Sequence, residues 1–546
     1  MKISFLGLLL FCFGMSRAQT NYLSYEQMTE KLQTIAKNQP LVSLQSIGKS
    51  ASGKDIWALE LGNKDARKPA LLLVASLDGS HPAGAQISYL MIEKWLKNDT
   101  MKAWLQNHQL YVIPMASPDA IPNSKQKTLF EKRGNAKTTD DNRNGKPNDD
   151  PYEDLNNDGF ITQMRIESPK GTLIAWEKDP RVLIPADISK GQAGKYLLLS
   201  EGIDNNKNEL FNEDASEGVN IDQNFAYNYP IFQKGSGLYA VSEAETKALM
   251  DFVYAHPEIY GVFTFAHYNN LAEPIKFDSK ATSERIIRDL LENDVKTHNF
   301  LQDIYVNKAG LKDGKSIPFQ GGNFPQTAYF HAGKMSLASP GWWLPKIETP
   351  KDTTQKEVPK NKKEKEEETP ALANFLQWAD QNQADVFVPW KAINHPDFPN
   401  QKVEVGGLKP FALHNPPVKF LDSIAEKHLI FMDEWFKAFP KMVVATQKVE
   451  KLDADLFRIT ISLVNKGLLP TSASLAQKIR FTSKYKTELV LQNNQNRLSG
   501  NKIEFDEAIQ PNETITYSWL ISGRGKVVLK TGCATTGVQE ISFDLK

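Results

Sequence analysis

An aspartate and two histidines carry most of the chemistry this sequence offers. Asp78 and His81 stand three residues apart in LLLVASLDGSHPAG, just after an apolar run, and His267 closes a second run, GVFTFAH. One carboxylate and two imidazoles can fill three positions around Zn²⁺ and leave a fourth for water. A plainer reading competes with this one. Most Asp-Gly pairs are turns, and a histidine after a strand is more often hydrogen-bonded than bound to metal.

Oxygen-bearing side chains gather between those two points. Three stretches are involved: Asp140 to Gly145, Asp154 to Thr162, and Asp204 to Asn208 running on to Asp214. Oxygen donors at positions one, three and five, followed by glycine, are how a chain wraps Ca²⁺. Asp154, Asn156 and Asp158, with the Phe160 carbonyl and Thr162, fit that loop best. Arg165 takes the twelfth place, where an EF-hand has a bidentate Glu, so no helix–loop–helix pair is implied. Calcium here would be structural; three Asx-rich surface turns are the alternative.

The elements that must position these residues are visible as periodicity. Ala70–Ala75 is apolar throughout and too short for a lone helix, which suits a strand buried on both faces of a parallel sheet. Leu110–Met115, Gly261–Ala266 and Lys334–Ala338 are similar runs, and Leu41–Ile47 and Asp55–Leu61 also read as strands. Helical patterns cover Asn21–Gln39, Ala85–Leu96, Glu284–Leu301, Ala371–Asp380 and Asp422–Ala438. Ser242 and Glu245 read as the capping box of one more helix. Alternating strands and helices predict a doubly wound α/β domain, and in such sheets ligands meet the C-terminal strand ends. From Met442 the period changes to two, in short strands such as FRITISLVN and TITYSWLI, which predicts a C-terminal all-β sandwich over 441–546.

Composition narrows the function classes. The 546 residues carry 65 Lys+Arg against 65 Asp+Glu, so no basic field draws nucleic acid or anionic membrane. Residues 1–18 read as a signal peptide: a Lys, an apolar stretch from Ile3 to Phe13, and Ser-Arg-Ala before the cleavage point. An exported protein, periplasmic or secreted, is expected. No apolar run reaches membrane-spanning length. After cleavage only Cys533 remains, so no internal disulfide can form. Residues 346–370 are rich in Lys, Glu, Thr and Pro and read as a disordered insertion in the 19–440 domain. A longer polar insertion covers 125–218.

With these motifs in place, the chain resembles the zinc carboxypeptidase family, in particular bacterial exported members with Asp-rich insertions and a C-terminal β-domain. The resemblance rests on LLLVASLDGSHPAG, EGVNIDQNF, VSEAET, FTFAH and HPDFPNQKVEVGG. It implies a doubly wound mixed sheet, a Zn²⁺ cofactor held by Asp78, His81 and His267, and a peptide as substrate or ligand. The family's metal motif is His-x-x-Glu, and here carboxylate and imidazole are exchanged in order. Its Asn-Arg pair for the substrate carboxylate corresponds to Asp222 and Gln223, where Asp222 adds repulsion. Its carbonyl-polarising arginine corresponds to Arg133. Its general-base Glu falls near Ala338–Gly341, where no carboxylate stands; Glu404 and Glu348 are candidates by chemistry alone. Two readings of function follow: a metallopeptidase of altered specificity, or a non-catalytic pseudoenzyme that binds a peptide or glycopeptide end. A third, a structural protein acting through its sandwich, has no feature recommending it.

Overall fold

A computed structural model describes residues 22–62, 68–122, 126–215, 217–345, 369–480, 482 and 484–546. The leader-like residues 1–18 and most of the charged stretch 346–370, including Glu348, lie outside the described residues.

The chain opens with α1 (Tyr25–Asn38), whose N-cap Ser24 forms a capping box with Gln27, then β1 (Val42–Lys49), β2 (Asp55–Leu61) and β3 (Ala70–Ala75). After α2 (Ala83–Trp95) and the short α3 (Asp99–Trp104) comes β4 (Gln109–Ile113). The polar insertion supplies β5 (Gln163–Glu167), β6 (Leu173–Trp176), β7 (Asp179–Pro185) and β8 (Tyr196–Ser200). The α/β chain resumes with α4 (Ala244–Ala255), β9 (Ile259–Phe265), α5 (Ser279–Ser283), α6 (Glu292–Asp303), α7 (Phe324–Phe330) and β10 (Met335–Ser339). It ends with α8 (Ala371–Gln381), β11 (Phe387–Ile393), β12 (Val403–Leu408) and α9 (Leu421–Lys437).

The principal sheet has the order β1-β2-β4-β3-β9-β10. Its four central and right-hand strands run parallel, while β1 and β2 are antiparallel, so the sheet is mixed. Both faces are covered, as the unbroken apolar run of β3 requires. Leu71, Leu73 and Ala75 pack into a core with residues of α1, α2 and α9. Ala70, Leu72 and Val74 point the other way, toward Leu249 and Val253 of α4 and Phe324 of α7. Burying side chains of this size on each face contributes roughly 1.5–3 kcal/mol apiece. The parallel strands leave their C-terminal ends side by side, and everything chemical gathers there.

The polar insertion gains a core by pairing. Its β5 joins β12, giving an antiparallel sheet ordered β11-β12-β5-β8-β6-β7. Met164 and Ile166 pack there against Val403 and Val405. Two helical expectations need correction. The helix expected over Glu284–Leu301 begins only at Glu292, because the Leu291 amide is held by the Tyr329 hydroxyl at 3.1 Å instead of continuing a helix. Ser242 is not an N-cap: α4 starts behind Glu243, and the Ser242 hydroxyl accepts from Asn224 Nδ2 and donates to Glu243.

Beyond Met442 lie two four-stranded antiparallel sheets. One is built from β13 (Met442–Asp453), β14 (Leu456–Asn465), β18 (Thr514–Ser522) and β16 (Asn496–Ser499). The other has β17 (Ile503–Asp506), β15 (Tyr485–Val490), β19 (Gly525–Cys533) and β20 (Gly537–Leu545). Ile459, Trp519, Leu529 and Phe543 share the core of this region. A short α10 (Ser474–Lys478) precedes β15. Among the described residues no helix is long and apolar enough to cross a membrane.

Candidate active site

Strand β3 ends in a sharp turn, with Ser76 in the left-handed region at φ 51°. The turn delivers Asp78 to the sheet edge, and His81 follows at the approach to α2. Gly84 in the first turn of α2 permits this closeness: a methyl there would lie 2.6 Å from Cβ of Phe265 on β9. His267 follows β9 directly, and the Pro340 carbonyl follows β10. Asp78, His81 and His267 therefore come together from remote parts of the chain, the two imidazoles edge to face with centroids 5.1 Å apart.

Their hydrogen bonds define what they can do. Asp78 is 4% exposed. Its Oδ2 accepts from Arg133 Nε at 2.9 Å, from Arg133 Nη2 at 2.7 Å and from Asn220 Nδ2 at 2.8 Å. Its Oδ1 accepts from the Ser80 amide at 2.9 Å and the Ser80 hydroxyl at 2.6 Å. Burial pushes this carboxyl up, but the Arg133 guanidinium, with the Ser80 hydrogen bond, outweighs it and holds it below the usual carboxylate range.

With its proton given to Asp78, the Ser80 hydroxyl accepts at 2.8 Å from Nε2 of His267. His81 Nε2 faces the Pro340 carbonyl at 2.9 Å, and a carbonyl only accepts. Both histidines thus carry their proton on Nε2. Burial lowers His81 to about 3, with His267 adding repulsion, and burial likewise lowers His267 to about 4. They are neutral at physiological pH.

The positions corresponding to the family's carboxylate clamp behave differently from the sequence expectation. Asp222 is 3% exposed and accepts from the Phe324 amide at 3.1 Å and from the Tyr268 hydroxyl. Burial, reinforced by Asp78, lifts its carboxyl to about 8. It is mainly a neutral acid at pH 7, turned inward, and offers a ligand little repulsion. Gln223 is partly exposed and reaches Gln320 at 3.3 Å. Glu404 pairs with Arg165 at 2.8 Å in the β5–β12 sheet and supplies no base to the β3 edge. At the end of β10, Ser339 bonds the Tyr305 hydroxyl at 2.6 Å.

Four participants escaped sequence reasoning: Ser80, Asn220, Glu131 and His414. His414 meets His267 edge to face at 5.0 Å. Glu131 accepts from the Phe411 amide, and burial, then Asp78, raise its carboxyl. Both line a cavity of about 290 Å³, with Tyr152, Leu413 and Lys409. Only Ser80 had a signal in the sequence, being enclosed between Asp78 and His81.

In the Asp154 loop, Asp154 accepts from the amides of Asp158 and Gly159 at 3.2 and 2.8 Å, and Asp158 from the Phe160 amide at 2.8 Å. Thr162 is bonded to Glu201.

The buried polar groups gather at the ends of the parallel strands of a mixed α/β sheet, where ligands meet such sheets. Residues 28–170 match the family described as zinc carboxypeptidase, and residues 441–544 match a domain described only as of unknown function. Carboxypeptidase D of Rattus norvegicus is 26% identical over 122 residues, 21% of this chain and 9% of that protein. A zinc carboxypeptidase of Saccharothrix mutabilis subsp. capreolus is 27% identical over 110 residues, 19% and 25% of the two chains. The chain thus spans a tenth to a quarter of the length of these curated relatives. A solved carboxypeptidase A from Helicoverpa armigera aligns at TM-score 0.35 and 15% identity over 56% of this chain and 61% of that one. The similarity to the zinc carboxypeptidase family thus lies in residues 28–170.

The family implies zinc, and the side chains present do not fit it. Asp78 Oδ2 already receives three donors, two of them from a cationic guanidinium. Nε2 of each histidine is engaged, that of His267 by the Ser80 hydroxyl and that of His81 by the Pro340 carbonyl, which leaves only the Nδ1 lone pairs. The buried Nδ1 of His81 has no hydrogen-bond partner, but it faces the interior, 3.4 Å from where a Gly84 methyl would stand. Among the described residues no three His, Cys, Asp or Glu side chains group as a metal site.

Proposed function

We propose that this chain is a non-catalytic member of its family, whose cleft binds a peptide-like ligand without hydrolysing it. One observation carries the reading: Arg133 and Asn220 hold the carboxylate that would be a metal ligand. In the resemblance Arg133 polarises a scissile carbonyl; here it is an internal counter-ion. A positioned acid–base group contributes ~10²–10⁴-fold to hydrolysis, and β10 ends without one. The cavity beside His414, edged by Glu131, Tyr152 and Lys409, is the ligand site in this reading. The names of the relatives support a peptide end as the ligand class.

The same reading makes the protein exported, supported by the leader-like residues 1–18. It divides the chain at 440/441, supported by the separate family match from residue 441. It also keeps calcium at the Asp154 loop, supported by the amides that turn both Asp154 oxygens to one side of the loop.

Metal analysis and turnover test the proposal together. Protein dialysed against zinc and then against buffer should retain far less than one equivalent, and leave a broad peptide library uncut while binding some members saturably. Stoichiometric zinc, with cleavage abolished by His267→Ala, would overturn it.

A further inference from the structure

A cluster of buried carboxylate and amide side chains stands apart from the cleft, at the neck of the polar insertion. The chain leaves the α/β domain at Gly134 and returns at Glu217, with the Gly134 amide donating to the Glu217 carbonyl at 3.1 Å and the Asn135 amide to the Val219 carbonyl at 2.9 Å. Just beyond this neck, the stretches 140–150 and 204–214 run against each other, joined by a bridge between Asp150 and Asp214.

Their side chains converge on one carboxylate. Asn206 Nδ2 and Asn208 Nδ2 each donate to Glu213 Oε1 at 2.7 Å, and Asn142 Nδ2 approaches the same oxygen from the other stretch at 3.4 Å. The Asp150 carboxyl lies within hydrogen-bonding reach of Glu213. Asp150 is completely buried, its Oδ1 takes the Asn205 amide at 2.9 Å, and its Oδ2 has no donor. Glu213 Oε2 and Asn206 Oδ1 are buried and without partners as well. The Asp154 loop, by contrast, contributes no oxygen to this unsatisfied group.

Buried acceptors left unpaired cost ~1–3 kcal/mol each. Burial raises the Asp150 carboxyl; at Glu213 burial is outweighed by Asp150 and the two asparagines, which hold that carboxyl low, so without a cation the pair shares one proton. Among the described residues no lysine or arginine pairs with either carboxylate: Lys234 Nζ takes the Glu213 backbone carbonyl at 2.8 Å and Lys207 pairs with Asp397. We propose that Asp150 and Glu213, with Asn206, Asn208 and Asn142, form a Ca²⁺ site that ties the outgoing and returning strands of the insertion. Asn206 Oδ1 already stands free, and half-turns of the Asn208 and Asn142 amides exchange nitrogen for oxygen at the same place, so that each side chain has an oxygen to offer. Two carboxylates balance the double charge. A mixture of carboxylate and amide oxygens suits the flexible six- to eight-fold shell of Ca²⁺ better than the strict octahedron of Mg²⁺, and excludes a soft metal that wants sulfur or imidazole. Only two of the five side chains are acidic, so the site is compatible with the absence of any three-residue His/Cys/Asp/Glu group. It does not rest on the reading of the cleft.

Calorimetric titration of the full chain with CaCl₂, after removal of divalent ions with EGTA, tests the assignment. Wild-type protein should bind Ca²⁺ in preference to Mg²⁺, and thermal unfolding should shift upward on saturation. Glu213→Gln and Asp150→Asn should each bind one equivalent fewer, or weaken that equivalent about tenfold or more, while Asp154→Asn leaves it in place. Wild-type protein that takes up no Ca²⁺ at ~1 mM overturns the proposal whatever the variants do. So do two folded variants, checked by near-ultraviolet circular dichroism, that keep the wild-type stoichiometry and affinity. Equal affinity for Mg²⁺ overturns the choice of ion. Zinc content and peptide binding are separate readouts, so failure here and failure of the cleft reading are distinguishable.

Discussion

Arg133 reaches back 55 residues to place two nitrogens on a single oxygen of Asp78, at 2.9 and 2.7 Å. The carboxylate is buried and the guanidinium is about half exposed. Such a pair is asymmetric in its energetics. Removing the cation strands a buried charge, whereas neutralising the acid leaves a half-solvated arginine free to turn to water.

Arg133→Met should therefore destabilise the fold by about 2–3 kcal/mol. Asp78→Asn, which retains an acceptor for Ser80, should cost less. In urea unfolding the double variant should lose less than the sum of the two single variants; strict additivity would mean that the pair contributes nothing.

Asp222 gives a dependence on pH. Its carboxyl is raised from the ordinary 3.8 to about 8, so the folded chain keeps a proton that the unfolded chain releases in that interval. This contribution to stability is complete below the unfolded value and is lost as pH rises toward the folded one. Unfolding free energies for wild type minus Asp222→Asn should thus fall with rising pH, with a slope on the order of 1 kcal/mol per pH unit near neutrality. A flat or rising difference would contradict the burial of an uncompensated acid.

Gly84 allows α2 to close against β9. A methyl would meet Phe265 Cβ at 2.6 Å and Ala75 Cβ at 3.2 Å, with His81 Nδ1 next at 3.4 Å. Gly84→Ala should cost about 1–3 kcal/mol by overpacking, read as a lower melting temperature. Unchanged stability would show that the helix has room to shift.

Asp294 on α6 joins the two parts of the chain. Fully buried, it accepts from the Ser474 amide at 2.7 Å, the Leu475 amide at 3.0 Å and the Tyr329 hydroxyl at 2.8 Å. Helix α10 has no side-chain cap of its own, so a residue of the α/β part serves its first turn. Asp294→Ala should leave these donors unsatisfied, at about 1–3 kcal/mol in all, and calorimetry should show the C-terminal strands melting earlier. A single unshifted transition would refute this coupling.

The sheet was legible because β3 is apolar at every position and β9 at nearly every one, Thr264 being the exception, as strands covered on both faces must be. The convergence of Asp78, His81 and His267 was legible for the same reason, since each follows such a strand. What they would do there was not. The resemblance pointed to Arg133, but its grip on Asp78 depends on how a long insertion returns, and Asn220 arrives from the far side of that insertion. The inward turn of Asp222 depends on Phe324 and Tyr268, neither near it in sequence. Local pattern misplaced the start of α6, where one tertiary hydrogen bond from Tyr329 overrode helical periodicity. The β5–β12 sheet combines strands from two distant stretches, and alternation alone gives no partner.

Arg133 lies just before the chain leaves the α/β domain at Gly134 and Asn220 just after it comes back, and both end on one oxygen of Asp78. Anything positively charged that entered the cleft and claimed that oxygen would loosen both roots of the insertion at once. Occupancy at the sheet edge would then register as slack in loops that the visitor never touches.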